Sequence, residues 1–190
     1  MEIEEIKRRF NAALEDFYKH DYRLVERDVN ERSIAHRLAV HLENFFPEYH
    51  VDCEYNKNGD EKRFLIYEVG EAIIQQMEAE HPGRGILKKI IDGEIVFNTT
   101  YPDIIIHGRE YNDRNILVIE VKKYLDIENL SASQREHISI DHRKLEGFTR
   151  PITNDGYGYT LGLFLNLSNQ GISKCTLTYF EMGMGQDTTS

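Results

Sequence analysis

Apolar residues recur along this chain with two different periods, and the change from one to the other outlines its elements. Ile3, Ile6, Phe10, Ala13, Leu14 and Phe17 fall three and four apart, which predicts an amphipathic helix over residues 3–17. Ile34, Ala35, Leu38 and Leu42 repeat that spacing in a second predicted helix from Asn30 to Phe46, ended by Pro47. Residues 49–56 read as a strand followed by a turn at Asn58-Gly59-Asp60, and residues 68–91 as partly helical with a break at His81-Pro82-Gly83. Strands follow at 103–107 and 116–124, joined by a polar turn over 108–115. A helix over 131–149 shows Ile138, Leu145 and Phe148 on one side, two more strands cover 159–167 and 175–180, and the tail 183–190 is expected to fray. This order predicts one α/β domain over residues 1–190, with a central mixed sheet flanked by helices. Residues 1–27 form an N-terminal helical extension and residues 57–101 an insertion before the second core strand.

Composition narrows the class. Of 190 residues, 40% are hydrophobic and 29% charged, which suits a globular chain and not a disordered one. No apolar run approaches the ~18 residues of a membrane span. The acidic start Met1-Glu2-Ile3-Glu4-Glu5 argues against a targeting leader, and two cysteines cannot build a disulfide framework, so a reducing cytoplasm is the expected compartment. The net charge of −10 counts against a simple nucleic-acid-binding surface. That charge is uneven, however. Residues 1–60 carry 9 basic and 14 acidic side chains, whereas residues 122–150 carry 6 and 5, a basic island in an acidic chain.

The candidate chemistry lies just ahead of that island, in Tyr101-Pro102-Asp103-Ile104-Ile105-Ile106-His107 and Ile116-Leu117-Val118-Ile119-Glu120-Val121-Lys122-Lys123. Strand alternation points Glu120 and Lys122 to one face and Leu117, Ile119 and Val121 to the other, and a hairpin brings Asp103 beside Glu120. Two carboxylates crowded in an apolar setting repel and favour protonation unless a hard divalent cation such as Mg²⁺ or Mn²⁺ sits between them. Such an ion polarises a phosphate and activates water, and a neighbouring lysine can orient that water or neutralise charge on the phosphorane.

Pro102-Asp103 followed by Glu120-Val121-Lys122 resembles the PD-(D/E)xK signature of the restriction-endonuclease-like nuclease superfamily, over a core of about residues 28–167. The resemblance implies an αβββαβ core and a Mg²⁺- or Mn²⁺-dependent endonuclease acting on nucleic acid, DNA ahead of RNA. It implies Asp103, Glu120 and Lys122 as catalytic residues, with Asp103, Glu120 and the Val121 carbonyl binding metal. It also implies an acid from the first core helix, where Glu31 fits better than Glu43. Glu31 shares a helical stripe with Ile34, Ala35, Leu38 and Leu42, but it also fits a capping box with Asp28 as N-cap. Both readings stand at this level. By the same resemblance Asp141 and Lys144 lie near the site, and Lys144, Lys123 and Arg143 are the expected substrate contacts; a surface helix held by local charge pairs is the plainer reading of 141–144.

The alternative function is a nuclease fold without catalysis, serving nucleic-acid or protein contact, with a structural Asp103–Lys122 ion pair. Phe10 and Phe17 on the first helix also allow a homodimer face, and specificity would come from residues 1–27, the insertion or a protein partner. Glu54 on the first core strand could approach a metal but is expected to be exposed at a sheet edge. His36 and His41 are five apart, as are His137 and His142, and no HExxH or Cys-x-x-Cys appears, so zinc is not expected. Tyr157 and Tyr159 in Gly156-Tyr157-Gly158-Tyr159 either stack on a base or pack on the sheet. Cys53 and Cys175 read as small buried apolar residues.

Overall fold

In a computed structural model, the described residues are 1–55, 101–109, 111–127, 129–152 and 156–186, with backbone alone for five short strands between 57 and 97. Three helices and a six-stranded sheet organise them. Helix α1 is Ile3–Glu26, α2 Glu31–Phe45 and α3 Ala132–Thr149. The sheet strands are β1 His50–Cys53, β2 Ile104–Gly108, β3 Tyr111–Lys123, β4 Leu161–Leu167, β5 Thr176–Glu181 and β6 Met184–Gln186. They lie side by side in chain order. Every neighbouring pair is antiparallel except β3 and β4, which run parallel. A parallel pair cannot be joined by a tight turn, and α3 makes the crossover between them.

Two apolar layers cover the sheet. Ile6, Phe10, Leu14 and Phe17 of α1 and Ile34, Leu38 and Leu42 of α2 pack with Ile104, Ile106, Leu117, Ile119, Val121, Leu163 and Leu165 on one face. Ile105, Val118, Leu145, Phe148, Tyr159, Phe164 and Phe180 form the core on the α3 face. Successive residues of β2 and β3 thus divide between the layers, as period-two alternation requires. Phe10 and Phe17 lie inside the first of these cores at 1% and 0% exposure, so they do not offer the homodimer face that their spacing suggested.

Helix α1 runs nine residues beyond the predicted 3–17. Its inward face continues through Asp21 to buried Val25, and the polar step at Asp21 is satisfied by Arg37 and His41 of α2 rather than by apolar packing. Strand β3 begins at Tyr111, so the polar residues predicted as a turn form the outer arm of a hairpin with irregular register at His107 and Gly108. The expected frayed tail instead starts with β6, which hairpins onto β5 through Met182 and Gly183 at positive φ. Within the insertion, Lys88–Ile91 is a strand paired with Glu94–Phe97, where the sequence suggested part of a helix; the break at 81–83 lies outside the described residues. No helix among the described residues is long and apolar enough to cross a membrane.

Helix α3 sits close to the sheet. Its start is fixed by a capping box in which Ser131 accepts from Gln134 N–H and the Gln134 side chain accepts from Ser131 N–H. Opposite it, a Cβ at Gly162 would lie 3.1 Å from Thr149 Cγ2 and from Phe180 Cβ, closer than packed side chains ordinarily approach. Glycine on β4 thereby lets the last turn of α3 lie close against the sheet.

Candidate functional site

The sheet register assembles the predicted residues. Ile104 of β2 is opposite Ile119 of β3, and continuing that register by one residue sets Asp103 opposite Glu120. Directly opposite residues on one face of an antiparallel pair have Cβ atoms about 5 Å apart. Asp103 Oδ2 accepts a hydrogen bond from Val121 N–H at 2.7 Å, which locks its carboxylate against β3. The Val121 side chain is buried in the α1–α2 layer.

Glu120 is 2% exposed, and its Oε1 accepts no hydrogen bond. Lys144 Nζ of α3 is 3.7 Å from that oxygen. Lys122 Nζ lies 3.0 Å from Asp141 Oδ2 and 4.0 Å from Glu31 Oε2. Its close partner is therefore Asp141, and the Asp103–Lys122 ion pair considered from sequence is not formed. Asp141 is buried and also accepts from Lys144 Nζ at 2.7 Å. The charge pair on α3 that resembled a solvated surface feature is thus inside the protein, between the helix and the sheet.

Glu31 reaches the group from the first turn of α2. The N-cap there is Asn30, whose Oδ1 accepts from Ser33 N–H at 2.9 Å. Asp28 lies outside the helix at φ 56°, so the capping box proposed for Asp28 and Glu31 does not form. Glu31 is left with Lys122 as its ion-pair partner, and Glu43 is exposed elsewhere on the helix.

The electrostatics follow from crowding and burial. Burial pushes the Glu120 carboxyl well above the usual range; Lys144 opposes the shift, and Asp103 and Asp141 reinforce it. Burial likewise raises Asp103 against the Val121 N–H bond and the nearby lysines. Glu31 is raised by burial, with Lys122 opposing and Asp103 adding to the effect. Asp141 goes the other way, because Lys144 and Lys122 outweigh its burial and hold it ionised. Burial alone would lower the Lys122 ammonium, but Asp141, Glu120, Asp103 and Glu31 together raise it. Four carboxylates face two ammonium groups, a formal −2 when all are ionised. Among the described residues, Glu31, Asp103 and Glu120 do not bring one oxygen each within 4.8 Å of one another, a separation a bound ion would have to close.

Two expected substrate contacts lie elsewhere. Lys123 points to the opposite sheet face, where its ammonium binds the Asp28 carboxylate and the Val29 carbonyl oxygen at 2.8 Å. Arg143 is exposed on α3, two residues and about 200° from Asp141 around the helix. Glu54 is half-exposed and paired with Arg32 at 2.6 Å. Tyr157 and Tyr159 pack on Phe148 with ring centroids 5.2 and 5.8 Å away; Tyr159 is buried in the core, and Tyr157 lies half-buried at its edge. Cys53 and Cys175 are half-buried free thiols, Cys175 Sγ lying 2.9 Å from Tyr18 Oη.

Asp141 takes a larger part in the cluster than a surface charge pair would. Asp141 shares an inward helical stripe with Ile138, Leu145 and Phe148, a signal already present in the spacing. No protein-family model, curated protein or solved structure matches this chain.

Proposed function

We propose that this protein is a metal-dependent nuclease that hydrolyses phosphodiester bonds, DNA ahead of RNA, with Asp103, Glu120 and Lys122 at the reacting centre. The reading is carried by Glu120: a carboxylate buried to 2%, with an oxygen that accepts no hydrogen bond, beside the half-buried carboxylate of Asp103. Burying such a group with only the distant Lys144 ammonium beside it and no hydrogen bond is costly, and a ligand at this position would supply what is missing. One divalent cation would balance the formal −2 of the cluster, and all-oxygen donors suit Mg²⁺ or Mn²⁺. An ion held by Asp103 and Glu120, with Glu31 and the Val121 carbonyl as further donors, would supply Lewis-acid polarisation of the scissile phosphate.

The remaining parts are the chain's own. Lys122, 23% exposed and held by Asp141, is placed to hydrogen-bond the attacking water or a phosphate oxygen. Lys144 can turn from Asp141 toward an incoming phosphate. The element order α2, β1, β2, β3, α3, β4 supports the restriction-endonuclease-like core that the motif implies.

A second reading, a non-catalytic interaction module, draws on Asp141: it already pairs both lysines, so the charges could form a purely structural network. Incubation of the protein with DNA and RNA in Mg²⁺ or Mn²⁺ separates the two. Cleavage that is lost in Asp103→Ala and in Lys122→Ala supports the nuclease reading. Cleavage that survives both substitutions, or no Mn²⁺ binding by calorimetry in the wild type, refutes it.

A further inference from the structure

The inward face of α1 turns polar at one place, and there it meets the buried His41 of α2. Asp16 Oδ2 is 2.7 Å from His41 Nδ1, and Asp16 Oδ1 is 3.1 Å from His20 Nδ1, so one carboxylate lies between two imidazoles. The imidazole planes are 18° apart with centroids separated by 6.1 Å. Among the described residues, Asp16, His20 and His41 form a His/Asp group in which one donor atom from each lies within 4.8 Å of the others. Asp16 and His20 are four apart on one helix, the spacing that aligns two ligands on a face, and His41 supplies the third from a packed neighbour.

We propose that Asp16, His20 and His41 bind a borderline-soft divalent cation of the zinc and cobalt class, at a site separate from Asp103 and Glu120. The donor set, two imidazole nitrogens and one carboxylate oxygen with a fourth position open to solvent, is that of a three-ligand zinc centre. The support behind it is built in the same way. His41 Nε2 lies 2.8 Å from Asp21 Oδ2, and Arg37 Nε and Nη2 donate to that same oxygen at 3.1 and 2.7 Å. A carboxylate on the far nitrogen fixes the ring and leaves Nδ1 for the ion, the arrangement that orients metal-bound histidines. Phe17 packs edge-on to His41 at 5.9 Å and holds the ring from a third side. His20, 53% exposed, swings in as the mobile ligand to shorten the donor separations to the about 3.3 Å of a tetrahedral zinc site.

The competing arrangement is a His41 clamped between Asp16 and Asp21 with no ion, in which His20 has no part. Titrating EDTA-stripped full-length protein with Co²⁺ and following its visible d–d absorption distinguishes them. The Asp103→Asn/Glu120→Gln double variant, which removes the other proposed ion site, is expected to retain one equivalent of Co²⁺ with the strong absorption of a tetrahedral ion. His20→Ala is expected to weaken binding about tenfold or more while melting in EDTA like the wild type. Zn²⁺ should also shift the imidazole ¹⁵N resonances of His20 and His41 in the wild type. Equal Co²⁺ affinity in wild type and His20→Ala, or unmoved imidazole resonances, overturns the proposal.

Discussion

Replacing Glu120 by Gln tests the site's central residue, because the structure predicts that its charge is a thermodynamic burden in the metal-free protein. The substitution preserves shape and removes a carboxylate that is 2% exposed, accepts no hydrogen bond at Oε1, and faces Asp103 and Asp141. An unsatisfied buried polar group costs about 1–3 kcal/mol. Relief of that cost, set against the lost attraction to Lys144 at 3.7 Å, predicts a net stabilisation of about 1–2 kcal/mol near pH 8. For a chain of this length that raises Tm by roughly 2–8 °C. The pH dependence gives a second signature. A carboxyl whose folded pKa is raised binds its proton more tightly in the native state, so its contribution is fully present below the unfolded pKa and is lost as pH rises through the folded one. Wild type and Glu120→Gln should therefore be nearly equal in stability near pH 4 and diverge as pH increases. Urea melts across pH in EDTA measure the difference. Repeating them with Mn²⁺ should stabilise the wild type and leave Glu120→Gln unchanged. If Glu120→Gln is instead destabilised at pH 8 in EDTA, Lys144 satisfies the charge, Glu120 is structural, and the reasoning fails.

Three further outcomes follow from the same geometry. Asp141→Asn leaves Lys122 and Lys144 without their shared buried carboxylate and should cost about 3–5 kcal/mol in a urea melt, the opposite sign from Glu120→Gln. Phe17→Ala, which empties a fully buried position between α1, α2 and the sheet, should cost about 3–5 kcal/mol in the same assay. Asp52 is held below the usual carboxylate range: its burial, which raises it, is outweighed by bonds from Arg109 and His107, so its stabilisation is present above the unfolded pKa and lost as pH falls through the folded one. Asp52→Asn should thus lose stability near neutrality and show a shallower acid limb, and an unchanged limb would contradict this assignment.

Much of the site was legible because strands encode facing with a period of two. Once residues 116–123 read as a strand, Glu120 and Lys122 had to share a face, and the hairpin had to return Asp103 to it. Helices encode facing less openly when the inward residue is charged. Asp141 sits on the stripe of Ile138, Leu145 and Phe148, yet Asp141 and Lys144 three apart also read as an ordinary surface pair, and only the packing of α3 on the sheet buries Asp141 and half-buries Lys144. The same ambiguity shortened α1, because Asp21 looks like the end of an amphipathic face until Arg37 and His41 of α2 arrive to satisfy it. Asp28 and Asn30 are both good caps by composition, and the choice between them rested on a φ of 56° at Asp28 that no residue type announces.

The parallel pairing of β3 with β4 has one more consequence. The clustered charges come from positions 31, 103, 120, 122, 141 and 144, and they meet only once α3, the crossover between that pair, has packed on the sheet. No fragment ending before that crossover holds both ammonium groups against the acids. A nascent or clipped chain that stops short of α3 therefore lacks Asp141 and Lys144, and with them the assembled charge cluster.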